Sequence, residues 1–400
     1  MKFIDLFSGI GGFRSGLEKN GHKAIAYSEV DKYAKQSYTS IYETSEELDL
    51  GDITKVSNEQ WQDLKGKANI IVGGSPCQSF SLAGKRRGFE DTRGTLFFHY
   101  VNAVKEVQPE FFIFENVKGM MSHDKGNTIR VVLETFNELG YYIDFNVFNS
   151  KYYDIPQNRE RIYIVGKRKD LVEQPKYHDK TKGKKKFDEI HNWAVDNINY
   201  VELLPPLQTE VTTRLIDVLE DEVDEKYYLS DEKVKKLTLN INVQMDNETL
   251  AAPVLAPDRI NKSQNGRRFK NDGEPMFTLT TQDRHGIAVR EATKQGYAIA
   301  EQGDSVNVTY PDSKTRRGRV GKQVAQTLQA GEVNQGVVMN DIRIRKLSPL
   351  ECWRLQGFTD EQHNAVEAAG ISNSQRYKQA GNAVTVNVIE AIGTRLMPYL

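Results

Sequence analysis

Residues 2–7, Lys2-Phe3-Ile4-Asp5-Leu6-Phe7, run apolar into Ser8-Gly9-Ile10-Gly11-Gly12, and residues 13–18 then carry helical spacing. A buried strand stopped by glycines and followed by a helix leaves few architectures open. It is the opening of a doubly wound α/β sheet. The same grammar recurs downstream. Residues 24–28 (Ala-Ile-Ala-Tyr-Ser) read as a second strand ending at Glu29, and an amphipathic helix follows from Asp31 to about Tyr42. Residues 50–53 read as a short strand end carrying Asp52. Residues 68–72 (Ala-Asn-Ile-Ile-Val) lead into Gly73-Gly74-Ser75-Pro76-Cys77, and Phe111-Phe112-Ile113-Phe114 stops at Glu115-Asn116. Runs that are apolar on both faces are what a parallel sheet covered on both sides produces. Residues 129–139 read as helix, and 141–148 and 161–165 as further strands.

At 400 residues the chain is longer than one hydrophobic core usually supports, about 250–300 residues, so two domains are expected. We divide it into an α/β domain over 1–170, a second, smaller domain over 171–345, and a tail over 346–400 whose last helix, 386–396, returns to the first. With 38% hydrophobic and 27% charged residues the composition is that of an ordinary globular protein. Lys2 and Asp5 interrupt what would have to be the apolar core of a secretory signal, and no stretch approaches about 18 apolar residues, so a cytoplasmic protein without a membrane span is expected. The two cysteines, Cys77 and Cys352, have neither CxxC nor Cys/His spacing, which argues against a structural metal. Leu347 and Cys352 flank the capping pattern Ser348-Pro349-Leu350-Glu351, so Cys352 reads as packing.

The glycine loop limits the ligand. A dinucleotide fingerprint needs G-x-G-x-x-G, but here Arg14 occupies the third glycine's place, which disfavours a nicotinamide dehydrogenase, and no Walker lysine follows. Glu29 lies twenty residues past Gly9 at a strand tip, where an acid can accept hydrogen bonds from a ribose diol, and Asp52 could receive an adenine amino group. Each acid alone is compatible with an ordinary surface carboxylate. Together they suit an adenosine ligand without a pyrophosphate, for which S-adenosylmethionine is the common choice.

A lone cysteine is most simply a small buried hydrophobe. Cys77, however, follows a strand end and a proline, at the edge where α/β sheets hold ligands. A thiolate that adds to carbon 6 of cytosine turns an inert carbon 5 into an enamine carbon able to attack an electrophilic methyl. Glu115, if burial raises its pKa, could hold the proton at N3. Residues 157–163 (Gln-Asn-Arg-Glu-Arg-Ile-Tyr) place Arg159 and Arg161 on one strand face by period two, where they could steady charge near the ring or form a salt-bridged strand edge.

These residues, in this order, resemble the cytosine-C5 DNA methyltransferases of the restriction-modification type. The likeness runs through residues 3–13 for the family's first motif, 28–31 for the second, 74–78 for the fourth, 114–117 for the sixth, 157–163 for the eighth, 345–358 for the ninth and 379–384 for the tenth. The resemblance implies a Rossmann-like S-adenosylmethionine-dependent domain with a smaller, β-rich target-recognition domain. It implies Cys77 as nucleophile, Glu115 as partner of N3 and N4, and Arg159 and Arg161 as their supports. It further implies that Phe7, Gly9, Ile10, Glu29, Val30, Asp52, Ile53, Pro76, Leu96 and Asn382 surround the cofactor.

It also implies a flipped target base in double-stranded DNA, with residues 79–93 as the closing loop. Contacts to DNA are expected from Gln78, Ser81, Lys85, Arg86, Arg87, Thr278 and Thr327. The two threonines belong to a weak internal repeat: Arg267-Arg268, Phe277-Thr278-Leu279 and Gly286-Ile287 are echoed by Arg316-Arg317, Thr327-Leu328 and Gly336-Val337. Similar enzymes carry one Thr-Leu element, so the echo suggests a longer or two-part recognition surface, or else two unrelated hairpins. A monomer is expected, with a restriction endonuclease acting on the same site as the possible partner. Two alternatives keep the same fold: a tRNA cytosine methyltransferase, and a DNA-binding regulator without catalysis.

Overall fold

A computed structural model describes residues 1–76, 96–230, 253–255, 285–294, 296–310, 313, 315–330, 334–339 and 344–399. Its larger part is built on a seven-stranded sheet with strand order β3-β2-β1-β4-β5-β8-β6. The strands are β1 (Lys2–Leu6), β2 (Lys23–Ser28), β3 (Leu48–Asp49), β4 (Ile70–Gly73), β5 (Phe111–Val117), β6 (Tyr141–Asn149) and β8 (Glu160–Arg168), with β7 (Gln157–Asn158) outside the sheet. The first five run parallel, and the connections between them carry helices α1 (Gly12–Lys19), α2 (Lys32–Ile41), α3 (Asn58–Gln62) and α4 (Leu96–Val107). The expected sheet is therefore present, with one difference. β8 lies between β5 and β6 and runs antiparallel to both.

Alternation within β4 and β5 fills two cores. Ile71, Phe112 and Phe114 join one cluster with Tyr100 and Phe136, whereas Ile70, Val72, Phe111 and Ile113 join another with Leu17 and Ile389. Both faces are covered, which is why these strands read as continuous apolar runs. α5 (Asn127–Glu138) and α6 (Lys186–Asn197) cover part of the first face: Ile190, Ala194, Ile198 and Tyr200 belong to the same cluster as Phe136. Lys186, the last residue of the lysine-rich stretch 182–186, begins α6.

The smaller part contains a three-stranded sheet, β9 (Pro253–Leu255), β10 (His285–Arg290) and β11 (Tyr297–Glu301), and a four-stranded one, β12 (Ser305–Asn307), β13 (Val320–Gly321), β15 (Gln335–Val338) and β16 (Ile344–Lys346). The pair β14 (Ala325–Gln326) leaves it to join β7 in parallel. Gly286-Ile287 and Gly336-Val337, the matching ends of the sequence repeat, therefore sit in different sheets.

The chain closes with α7 (Pro349–Arg354), α8 (Asp360–Ala368), α9 (Asn373–Asn382) and α10 (Val386–Leu396). α10 packs on α1 so tightly that a Cβ at Gly16 would lie 2.6 Å from Ile389. α7 begins with the capping box read from sequence, with Ser348 Oγ accepting from Glu351 N. Glu351 does more than cap. Its carboxylate accepts from Arg345 at 2.7 and 2.8 Å and from the backbone N–H of Glu220 at 2.9 Å, and both side chains of the ion pair are wholly buried. Removing one partner strands the other charge out of water, so Glu351→Ala is expected to lower stability by roughly 3–5 kcal/mol in denaturant unfolding. A loss below about 1 kcal/mol would mean that solvent reaches the site.

Candidate active site

Register sets the first row of the site. Leu6 pairs with both Ser28 and Gly73, and Gly73 pairs with Phe114, so these four residues form one line across the sheet. The next residue of each strand, Phe7, Glu29, Gly74 and Glu115, must then emerge along one edge. All four line a single cleft of about 770 Å³, within the usual range for a small-molecule site.

On one side of that cleft the backbone of residues 7–12 turns sharply, with Gly9 and Gly11 at φ 57° and 83°, values in which glycine carries no side-chain penalty. Glu29 holds this turn. Its Oε2 accepts from Gly9 N at 2.8 Å, and its Oε1 accepts from the N–H groups of Val30 and Asp31, each at 2.7 Å. Phe7, Gly9, Ile10, Glu29, Val30, Asp52, Ile53, Pro76, Leu96 and Asn382 all line the cleft. Asp52 reaches it differently from the sequence reading. The strand ends at Asp49, and Asp52 instead caps a short 3₁₀ turn, accepting from Thr54 N and Oγ1, bonds that hold its carboxyl below the usual range. Arg14, which stands in place of a third glycine, points away from the ligand space. It stacks on Tyr42 at 4.3 Å and pairs with Glu18 and Glu47.

The other side is built around Glu115, whose side chain is 12% exposed. Gly74 lets the neighbouring strand pass: a Cβ there would fall 2.7 Å from Glu115 Oε2. Arg161 Nε lies 3.1 Å from Glu115 Oε1, because antiparallel β8 brings Arg161 opposite Val117 at the same sheet edge. Burial raises the Glu115 carboxyl above its ordinary pKa, and the guanidinium charges of Arg161 and Arg159 offset only part of that. Asn116 Nδ2 donates to Ser75 O at 2.9 Å, tying the segment that leads to Cys77 to the strand carrying Glu115.

Arg159 and Arg161 both line the cleft, but one strand face does not carry them both. Arg159 sits in the gap between β7 and β8 and donates to Gly381 O and Ala383 O at 3.2 and 2.8 Å. Its burial pulls the guanidinium down to about 10. Thr327 lies outside the cleft lining; its Oγ1 donates to Asn158 O, beside Arg159, while Leu328 is buried. Cys77, Gln78, Ser81, Lys85, Arg86, Arg87 and Thr278 fall outside the described residues.

Sequence reading missed Gln375, Lys378 and Gln379, which also line the cleft. With Asn382 they have the spacing i, i+3, i+4, i+7 of one helical face, a signal present in the sequence. Among the described residues, no group of His, Cys, Asp and Glu could hold a metal ion, and no helix is long and apolar enough to cross a membrane.

The sequence profile of the family described as "C-5 cytosine-specific DNA methylase" matches residues 1–397. The chain belongs to that family. Among its relatives are an orphan methyltransferase of Bacillus phage SPR, M.SPRI, 36% identical over 478 aligned positions covering 99% of this chain and 97% of that protein, and the type II methyltransferase M.HpaII of Haemophilus parainfluenzae, 33% identical over 100% of this chain and 89% of the relative. The crystal structure of Spodoptera frugiperda DNMT2 superposes with a TM-score of 0.56 over 99% of each chain at 16% identity, a likeness of fold. As a C-5 cytosine-specific DNA methylase, the protein is an enzyme that methylates carbon 5 of cytosine in DNA with S-adenosylmethionine as methyl donor. The cleft fits that donor: glycine backbone and a strand-tip acid on one side, apolar Phe7, Ile53 and Leu96 around it, and no glycine at position 14 for a dinucleotide.

Proposed function

We propose that the cleft holds S-adenosylmethionine beside a cytosine flipped from duplex DNA, with Cys77 as nucleophile and Glu115 as the acid at N3. The observation that carries this reading is the placement of Glu115 near the end of β5, only 12% exposed, beside the Gly74-Ser75-Pro76 segment and with Arg161 at 3.1 Å. When bound, S-adenosylmethionine supplies an electrophilic methyl for carbon 5. The Cys77 thiolate forms a bond to C6, the electrons of the C5–C6 double bond move into the ring, and Glu115 gives its proton to N3. After C5 is methylated, a water molecule takes the C5 proton, the C5–H electron pair restores the C5–C6 double bond, the sulfur leaves C6 as thiolate, and Glu115 recovers the N3 proton. Arg161 keeps the carboxyl oriented. Arg159, bound to carbonyls 381 and 383, holds the carboxyl end of α9 against this side of the cleft.

The catalytic domain is proposed to extend past 170 to about residue 204, because Ile190, Tyr200, Val201 and Leu204 belong to the cores on the sheet. Recognition of the DNA sequence is assigned to the smaller part, up to residue 345. Thr327, anchored on Asn158, would seat that part next to Arg159, and the loop 79–93, with Gln78, would contact phosphates. Orphan and type II enzymes among the relatives support a phage or restriction-modification role, in which a cognate endonuclease would act on the same site without a stable complex and the methylase would work as a cytoplasmic monomer. Bisulfite sequencing of plasmid DNA and of tRNA from cells expressing the protein tests the reading. The expected result is 5-methylcytosine within one fixed duplex context and unmodified tRNA. Methylated tRNA with unmodified plasmid would overturn the DNA assignment.

A further inference from the structure

We propose that Lys378 is a positioning residue for the cofactor, acting through Asp31 to hold the turn that aims Glu29. This rests on the reading of the cleft as the S-adenosylmethionine site. Lys378 Nζ donates to Asp31 Oδ2 at 2.7 Å, joining α9 to the start of α2 across 347 residues of sequence. The other oxygen, Oδ1, accepts from Tyr33 N at 2.9 Å and Ala34 N at 3.2 Å, so one carboxylate caps α2 and anchors α9. Asp31 N in turn donates to Glu29 Oε1, and Glu29 Oε2 accepts from Gly9 N. An unbroken series of hydrogen bonds thus runs from α9 through residues 29–31 to the glycine turn.

The geometry separates this role from folding. The side chains of Lys378 and Asp31 are 43% and 34% exposed, and pairs that open to water add little to stability. Asp31 is nevertheless held below the ordinary carboxylate range, first by its bond to Lys378. The carboxyl end of α9 is already pinned by Arg159 at residues 381 and 383, and Gln379 Nε2 adds bonds to Tyr33 O and Ser37 Oγ. Lys378 supplies the contact to the acid whose amide supports Glu29. Its loss should loosen the cofactor side of the cleft and leave the base side in place.

The test uses the full-length enzyme. Lys378→Met is expected to raise the Kd and KM for S-adenosylmethionine three- to tenfold, with KM for DNA and the thermal midpoint of the cofactor-free protein unchanged, and Lys378→Arg is expected to stay within twofold of the parent. Asp31→Asn, which keeps a capping side chain, should reproduce the Lys378→Met effect. The double variant should be no weaker than either single one, because both act through one bond. Cofactor affinity within twofold of the parent for Lys378→Met would overturn the proposal, as would additive losses, or a fall in thermal midpoint and DNA affinity alongside that of the cofactor. Glu29→Ala separates the two levels. If it leaves cofactor affinity unchanged, the reading of the cleft itself fails; if it weakens affinity and Lys378→Met does not, only the role of Lys378 fails.

Discussion

Replacing Cys77 with serine is expected to lower methyl transfer by more than about 10³-fold while leaving the affinities for DNA and S-adenosylmethionine within about threefold. The reaction needs a nucleophile that is substantially ionised near neutral pH and can later leave carbon 6. A thiol with an ordinary pKa of about 8.5 meets the first need once a cation lies nearby, whereas a serine hydroxyl ionises far too weakly. A duplex carrying 5-fluorocytosine checks the step directly, because fluorine takes the place of the C5 hydrogen whose removal as a proton precedes loss of sulfur. The parent enzyme should form a covalent complex that survives denaturation, and the serine variant should form none. Full methylation by Cys77→Ser would sink the mechanism.

The second large effect is expected at Glu115. Glu115→Gln should reduce kcat by about 10²–10⁴-fold, the usual contribution of a positioned acid, since the amide cannot give up a proton to N3. The pH dependence has a definite sign. Burial raises the Glu115 carboxyl, so its proton is retained to higher pH than in an ordinary glutamate. As pH rises through that elevated value the proton is lost, and kcat should fall on the alkaline side. The residual activity of the glutamine variant should lack this limb. In folding, the same shift means that the contribution of Glu115 to stability is present below the ordinary carboxylate pKa and lost as pH rises through the raised one. An alkaline limb that persists unchanged in Glu115→Gln would assign it to another group.

Much of this site was legible because it rests on short-range rules. β2 and β4 are runs of six and four residues with Glu29 and Gly74 next in sequence, so these two could be placed at strand tips without knowing which strands are neighbours, whereas β5 runs on through Glu115 to Val117 because antiparallel β8 pairs with it there. The helix caps at Ser348 and Asp31 are equally local. Asp52 lines the cleft from the cap of a 3₁₀ turn and not from a strand end, a difference the sequence hides because a two-residue strand leaves almost no periodicity to read. The start of α6 is not legible in the sequence, because lysines in a loop and lysines at an exposed helix end look alike in composition.

What the sequence determined by itself was the set of turns and tips: a run of about four to six apolar residues bounded by glycine or proline is too short for a helix and buries as a strand covered on both faces, which puts the residues that follow at or near its end. Which tips share a cleft was decided by the tertiary structure. Parallel register aligned Phe7, Glu29, Gly74 and Glu115, and the antiparallel insertion of β8 turned Arg161 onto Glu115. The gap between β7 and β8 sent Arg159 to carbonyls more than two hundred residues away, and α9 brought Lys378 to Asp31. Backbone dihedrals and burial periodicity act over a few residues and are written locally. Register, and the partner of a long charged side chain, depend on how distant segments pack, and local sequence carries no trace of that choice.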